Sequence, residues 1–198
     1  MERLGLLGGT FDPVHHGHLA IAEEARVSLG LDRVLFVPAA RQPLKALVPA
    51  AEAHHRLAML RLACAPNPAF AVSTIELDRP PPSYTVATLE ALQAPDRELC
   101  FVIGTDALAL LPRWRDAARI PALARIVAVG RPGAAADLGA LIAALPGLAE
   151  RLTRLDGPDL AISSSALRRR VAAGLPIRYL VPDAVAAYIA GHGLYRDA

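Results

Sequence analysis

The chain has 198 residues, 54% of them hydrophobic and 20% charged, with a formal net charge of +2. That is apolar material for one cored domain, which excludes a disordered chain, and so small a charge gives no electrostatic case for a nucleic-acid partner. Mean hydropathy is +0.34, but no charge-free apolar run approaches the ~18–20 residues a spanning helix needs, so no membrane partner is expected.

The first strand is expected over Arg3–Gly8. The apolar run Leu4–Gly9 is too short for a secretory signal, and the chain reads as cytoplasmic. The strand runs into Gly8-Gly9-Thr10-Phe11-Asp12-Pro13-Val14-His15-His16-Gly17-His18, and a helix follows over His18–Leu29. This is the first βα turn, where doubly wound folds bind nucleotides. It has neither the glycine spacing of a dinucleotide fingerprint nor the Gly-Lys-Ser/Thr of a P-loop. Gly8 and Gly9 would let a phosphate approach the backbone, and Thr10 adds a hydroxyl donor. His15 and His18, three residues apart at a helix start, share a face and can donate to phosphate oxygens beside the helix N-terminus. Three histidines in four positions also resemble part of a zinc site, but no remote carboxylate or cysteine completes one, and no protein-held metal is expected.

The second strand, Arg33–Pro38, leads into a Pro-bounded loop carrying Lys45, the only lysine among 21 basic residues. It can meet a phosphate as a point charge or simply be solvated. Helical spacing follows over Glu52–Ala65, then a strand over Phe70–Glu76 and a helix over Tyr84–Leu92. Cys64 and Cys100 sit in apolar contexts without metal-ligand spacing, which suits a reducing compartment. The strand Glu98–Gly104 delivers Gly104 and Asp106 to the far side of the topological switch point. Asp106 can accept from ribose hydroxyls, order a magnesium shell, or cap the helix expected over Asp106–Ile120. Trp114, the single tryptophan, offers a ring for stacking or for the core. A fifth strand is expected over Arg125–Gly130. Gly133–Leu148 is loose in composition, a helix with poor caps. Helices over Ser163–Ala173 and Asp183–Ala190 end the chain, and no strand signal follows Ala161–Ile162. Ser163, Ser164 and Arg168 form either a second phosphate site or an ordinary helix cap. Strand–helix alternation with buried-type runs predicts an α/β fold: one domain with a Rossmann-like doubly wound parallel sheet over 1–160 and a C-terminal helical cap over 161–198.

Gly-Gly-Thr-Phe-Asp-Pro-x-His-x-Gly-His resembles the nucleotidyltransferases that share a His-x-Gly-His motif. Ser83-Tyr84-Thr85 with Thr88-Leu89 narrows the likeness. So do Val102-Ile103-Gly104-Thr105-Asp106 with Trp114, Ile162 to Arg168, and Tyr179-Leu180-Val181-Pro182. Together, in this order and over nearly the whole chain, they resemble the bacterial nicotinate-nucleotide adenylyltransferase family. The chain departs from that pattern at Leu44, where His is usual before Lys45, at Ala87 (acidic), at Ser165 (Thr) and at Pro81 (Gly).

The resemblance implies transfer of the adenylyl group of ATP to nicotinate mononucleotide, giving nicotinate adenine dinucleotide and pyrophosphate. The attack is direct and in line, with no covalent enzyme intermediate. A phosphate whose second pKa lies near ~6 is already a nucleophile at pH 7 and needs no general base. His18 then donates to the α-phosphate, His15 to the phosphates beyond, and Arg168 forks the β,γ-phosphates. Gly8, Gly9, Thr10, Lys45, Gly104, Asp106, Ser163 and Ser164 line the ATP side. Tyr84, Thr85 and Trp114 hold the nicotinate nucleotide, and Mg²⁺ enters bound mainly through substrate phosphates. Alternatives are transfer to nicotinamide mononucleotide or to phosphopantetheine, and a non-catalytic nucleotide sensor. Intact His15, His18 and Arg168 argue against the sensor.

Overall fold

The computed structural model describes every residue except 42, 44–49, 131–136, 159 and 197–198; Leu44 and Lys45 therefore lie outside the described residues. In chain order the elements are β1 (Glu2–Gly9), α1 (His16–Leu29), β2 (Arg33–Pro38), α2 (Ala53–Cys64), β3 (Phe70–Val72), α3 (Thr85–Ala91), β4 (Arg97–Gly104) and α4 (Thr105–Leu108). They continue with α5 (Ile120–Leu123), β5 (Arg125–Gly130), α6 (Leu138–Ala144), α7 (Leu148–Arg151), β6 (Leu152–Asp156), α8 (Ser164–Ala172) and α9 (Asp183–Gly191).

The central strands read as near-continuous apolar runs because helices cover both faces of the sheet. Their side chains alternate between two cores. Leu7, Cys100, Val102, Val127 and Val129 pack on one side with residues of α1, α2, α8 and α9. Leu4, Leu6, Leu99, Phe101, Ile103, Ile126 and Ala128 pack on the other with residues of α3, α6 and α7. All six strands are parallel in the order β3-β2-β1-β4-β5-β6. This is the doubly wound order, with its reversal between β1 and β4. The tail helices belong to the first core through Leu167, Val185 and Ile189, with Ile177 and Val181 between them. No helix among the described residues is long and apolar enough to cross a membrane.

The end of the sheet away from the switch-point crevice is tied by charge. Glu98 accepts from Arg3 at 3.2 Å and from Arg125 at 3.3 Å. Glu2 pairs with Arg97 at 2.7 Å and also with Arg33.

Three expectations need correction. The strand expected over Phe70–Glu76 stops at Val72, because Thr74 starts a turn. Its carbonyl accepts from Leu77 and Asp78 N–H, and its hydroxyl donates to Asp78 at 2.7 Å. The single helix expected over Asp106–Ile120 is instead α4, 3₁₀ turns at Leu111–Arg113 and Ala117–Arg119, and then α5. Pro112 cannot supply an N–H to a continuing helix, Trp114 is extended, and Asp116 is left-handed at φ 50°. Strand β6 had no sequence counterpart, since Leu152–Asp156 carries Thr153 and Arg154 and is half-exposed at the sheet edge. In the loose segment, the described part forms α6 and α7. Here the Asp137 carboxylate accepts from Ala140 N at 3.0 Å as a regular N-cap.

Candidate active site

The β1–β4 pairing ends at Leu7 and Val102, while β1 stays paired with β2 to Gly9 and Pro38, and β4 with β5 to Gly104 and Val129. The two central strands thus part at their carboxyl ends and leave a crevice at the switch point. Gly8 and Gly104 stand on its two sides. A Cβ added to either would meet nothing within 4 Å, so both backbones face open space that a ligand can enter.

From Gly9 the chain turns through Thr10–Val14. Phe11 and Val14 are sunk in the first core, at 1% and 0% exposure. Phe11 adopts φ 51°, a conformation a bulky residue holds only where packing imposes it. Its ring lies 3.0 Å from where a Cβ on Gly9 would be, which accounts for the second glycine. Asp12 is buried at 3%. Its carboxylate accepts from Ala50 N at 2.8 Å, Ala51 N at 3.2 Å and the Tyr195 hydroxyl at 2.7 Å. Arg56, 1% exposed, reaches under the turn, and its Nη1 donates to the carbonyls of Thr10 (2.8 Å) and Ala39 (2.9 Å). Burial lowers its pKa, and the nearby Asp12 opposes that.

His15 and His18 occupy the N-cap and N3 positions of α1, the two places of a capping box. Their rings stack at 3.7 Å between centroids, with Phe11 edge-on to His18 at 5.1 Å. His15 is 2% exposed and His18 half-buried. The His15 backbone N–H donates to His18 Nδ1 at 3.3 Å. A backbone N–H can only donate, so Nδ1 supplies a lone pair and the neutral ring carries its proton on Nε2. His18 is thereby fixed as an Nε2–H donor.

Helix α8 is bolted to this turn. Ser163 is its N-cap, with its hydroxyl accepting from Ala166 N at 3.3 Å. Ser164 Oγ donates to the Pro13 carbonyl at 2.9 Å, and Arg168 Nη1 donates to the Asp12 carbonyl at 2.7 Å. The structure thus brings Gly8, Gly9, Thr10, His15, His18, Ser163, Ser164 and Arg168 to one end of the sheet. Arg170 turns away and donates to the Pro176 carbonyl at 3.0 and 2.8 Å.

Across the crevice, Asp106 is exposed at the second position of α4, whose N-cap is Gly104, and it makes no capping bond. Thr105 Oγ1, beside Gly104, is buried with no hydrogen-bond partner among the described residues. Tyr84 is the N-cap of α3, and Thr85 is the first residue of that helix. Trp114 lies edge-on to Phe101 at 5.9 Å and is half-buried, while Arg115 sits 5.5 Å over the Tyr84 ring. These contacts join the Trp114 segment to the start of α3. Below them Thr88 donates to Glu76 at 2.7 Å; burial pushes the Glu76 pKa up, against the lowering effect of its hydrogen bonds to Thr88 and Ser83. Among the described residues, no group of three or more His, Cys, Asp or Glu is arranged to hold a metal ion.

Sequence reasoning gave no role to Asp12, Arg56 or Tyr195. Asp12 stood inside the motif, and a carboxylate between glycines and a proline was a visible signal. Arg56 shares its face of α2 with apolar Met59, Leu60 and Ala63, an odd place for a charge. Tyr195 carried no signal.

The cytidylyltransferase-like family model matches residues 6–170. A Roseiflexus sp. (strain RS-1) protein named "Probable nicotinate-nucleotide adenylyltransferase" is 62% identical over 98% of both chains. A Thermomicrobium roseum protein of the same name is 48% identical over 99% of this chain and 92% of its own. Among solved structures, the Plasmodium falciparum nicotinic acid mononucleotide adenylyltransferase complexed with NaAD superposes with a TM-score of 0.79. It is 18% identical, over 100% of this chain and 99% of that one, which is a likeness of fold. With identity this high over its full length, the chain belongs to the nicotinate-nucleotide adenylyltransferase family, within the cytidylyltransferase-like domains.

Proposed function

We propose that this chain transfers the adenylyl group of ATP to nicotinate mononucleotide, forming nicotinate adenine dinucleotide and pyrophosphate. The observation that carries the reading is the crevice between β1 and β4. It is open above Gly8 and Gly104 and flanked at one end by His15, His18 and the N-terminus of α8 with Arg168.

An oxygen of the mononucleotide phosphate attacks the α-phosphorus. The new P–O bond forms as the bond to the β-phosphate oxygen breaks, and pyrophosphate departs with the electron pair. The protein's task is positioning and charge stabilisation. His18 donates from Nε2 to the α-phosphate, where negative charge builds in the transition state. His15 and the first turn of α1 meet the phosphates beyond. Arg168 and the first turn of α8 hold the β,γ-phosphates, with Ser163 and Ser164 setting that helix end. Thr10 and Lys45 complete the phosphate side. Gly104 allows close approach of the adenosine end, and Asp106, exposed and not used in capping, accepts from ribose hydroxyls. On the other side Trp114 stacks on the pyridine ring, and Tyr84 with Thr85 donates to its carboxylate. ATP enters as its magnesium complex, the cation being held by phosphate oxygens and water. The reaction takes place in the cytoplasm, where free thiols such as Cys64 and Cys100 persist.

Pyrophosphate release is measured with ATP and each of three acceptors: nicotinate mononucleotide, nicotinamide mononucleotide and phosphopantetheine. Strong preference for the first supports the proposal. Equal turnover of the amide form overturns the substrate assignment, and no turnover with any acceptor leaves the sensor reading. Activity that survives an excess of chelator overturns the magnesium complex as the substrate.

A further inference from the structure

The buried Asp12 carboxylate joins four separated parts of the chain. Oδ1 accepts from Tyr195 Oη at 2.7 Å and Ala51 N at 3.2 Å, and Oδ2 accepts from Ala50 N at 2.8 Å. Arg168 Nη1 lies 3.8 Å from Oδ2 and donates to the Asp12 carbonyl at 2.7 Å. A buried carboxylate survives only when paired and hydrogen-bonded. Here Arg168 forms the ion pair, at 3.8 Å, and the buried Arg56 below the turn adds its charge at longer range. The Tyr195 hydroxyl gives the shortest of the bonds to the carboxylate.

Tyr195 reaches this place through a designed end to α9. Gly193 is left-handed at φ 62°, Leu194 N donates to the Ile189 carbonyl at 3.1 Å, and Tyr195 itself adopts φ 65°. The ring is 7% exposed and lies in the first core. Burial first, and then the neighbouring Asp12, raise the phenol's pKa, so it remains a hydrogen donor.

We propose that Tyr195 is a positioning residue for the adenylyl transfer: by fixing the Asp12 carboxylate it holds Arg168 where the fork can meet ATP phosphates. Without the phenolic hydroxyl, Oδ1 keeps only the longer bond from Ala51. The carboxylate then rotates toward Arg168, tightening the 3.8 Å ion pair into a hydrogen-bonded one and drawing the guanidinium off the phosphates. The argument rests on the phosphate role proposed above for Arg168, and does not depend on which acceptor is used.

The test compares Tyr195→Phe, Arg168→Lys and the double variant, with KM for ATP and for the mononucleotide measured separately, kcat recorded, and melting followed. Tyr195→Phe is expected to raise KM for ATP about tenfold, the scale of a hydrogen bond to a charged group. KM for the mononucleotide should stay at the wild-type value, and the effect should vanish in the Arg168→Lys background. Equal rises in both KM values, or a full effect added to that of Arg168→Lys, overturn the proposal. Wild-type handling of ATP by Tyr195→Phe, with Arg168→Lys impaired, removes the clasp and leaves the role of Arg168 standing. Wild-type handling by Arg168→Lys removes both. If Tyr195→Phe melts below the assay temperature, calorimetric titration with ATP in the cold makes the same comparison.

Discussion

A histidine ring offers two nitrogens, and the backbone decides which one faces a ligand. At His18 the N–H of His15 occupies Nδ1, so the donor left for a ligand is Nε2–H. His18→Ala is expected to lower kcat about 10²–10³-fold with a smaller change in nucleotide binding, the usual cost of losing one such donor. His18→Gln, whose amide can place an N–H near the Nε2 position, should retain more activity than His18→Asn; the reverse order in steady-state assays would remove Nε2 from the chemistry. On the pyridine side, Trp114→Ala should weaken both mononucleotides, and Thr85→Val should narrow the preference for the acid, because an amide leaves carboxylate donors unpaired. Comparing kcat/KM for the two mononucleotides in both variants checks this. At this scale the gathering of the motif residues was legible, because a βα turn at the switch point collects them at one end of the sheet. Asp12, Arg56 and Tyr195 were not assigned, because their meaning lies in contacts that form only once the chain has folded.

Elements were legible where their period was long and regular. Helices α1, α2, α3, α8 and α9 fall within two residues of expectation at each end, since apolar spacing carries them, with left-handed Gly30 and Gly193 stopping α1 and α9. The stretch after β4 misled because its apolar spacing suits a helix while Pro112 and the backbone at Asp116 break it. β6 was hidden because an edge strand needs no continuous apolar run. Asp116 tolerates its left-handed backbone better than a branched residue would. Asp116→Val is expected to cost about 1–2 kcal/mol in urea unfolding, and Asp116→Gly to be near neutral. Equal stability of the two variants would show that Asp116 does not hold this turn.

The molecule as a whole is pinned at one end of its sheet by charge and at the other by the loops around the crevice. Hydrogen bonds from Arg33 and Arg97 hold the Glu2 carboxyl below its ordinary 4.5. A carboxyl with a lowered folded pKa stabilises fully above that ordinary value, and the contribution is lost as pH falls through the folded pKa. Glu2→Gln should therefore melt lower than wild type at neutral pH, with the gap closing below about pH 4.5. A second pH dependence lies where α2 meets α9. His55 stands 3.0 Å from the Tyr188 hydroxyl, beside His54 and His192. Desolvation first, then His54 and His192, lower its pKa below 6.5, while Glu52 opposes them. The neutral ring is the one that fits, so this contribution is present above pH 6.5 and lost as pH falls through the lowered value. His55→Gln should flatten the fall in melting temperature as pH drops below 6.5; an unchanged slope would assign that fall elsewhere.

The hydrogen bond from Tyr195 to Asp12 joins positions 183 apart. Asp12 is synthesised well before Tyr195, so the first turn is made before the residue that ties its carboxylate exists. On the role proposed for Tyr195, a chain halted between Arg168 and Tyr195 would carry the whole motif and bind ATP more weakly than one that includes the tyrosine.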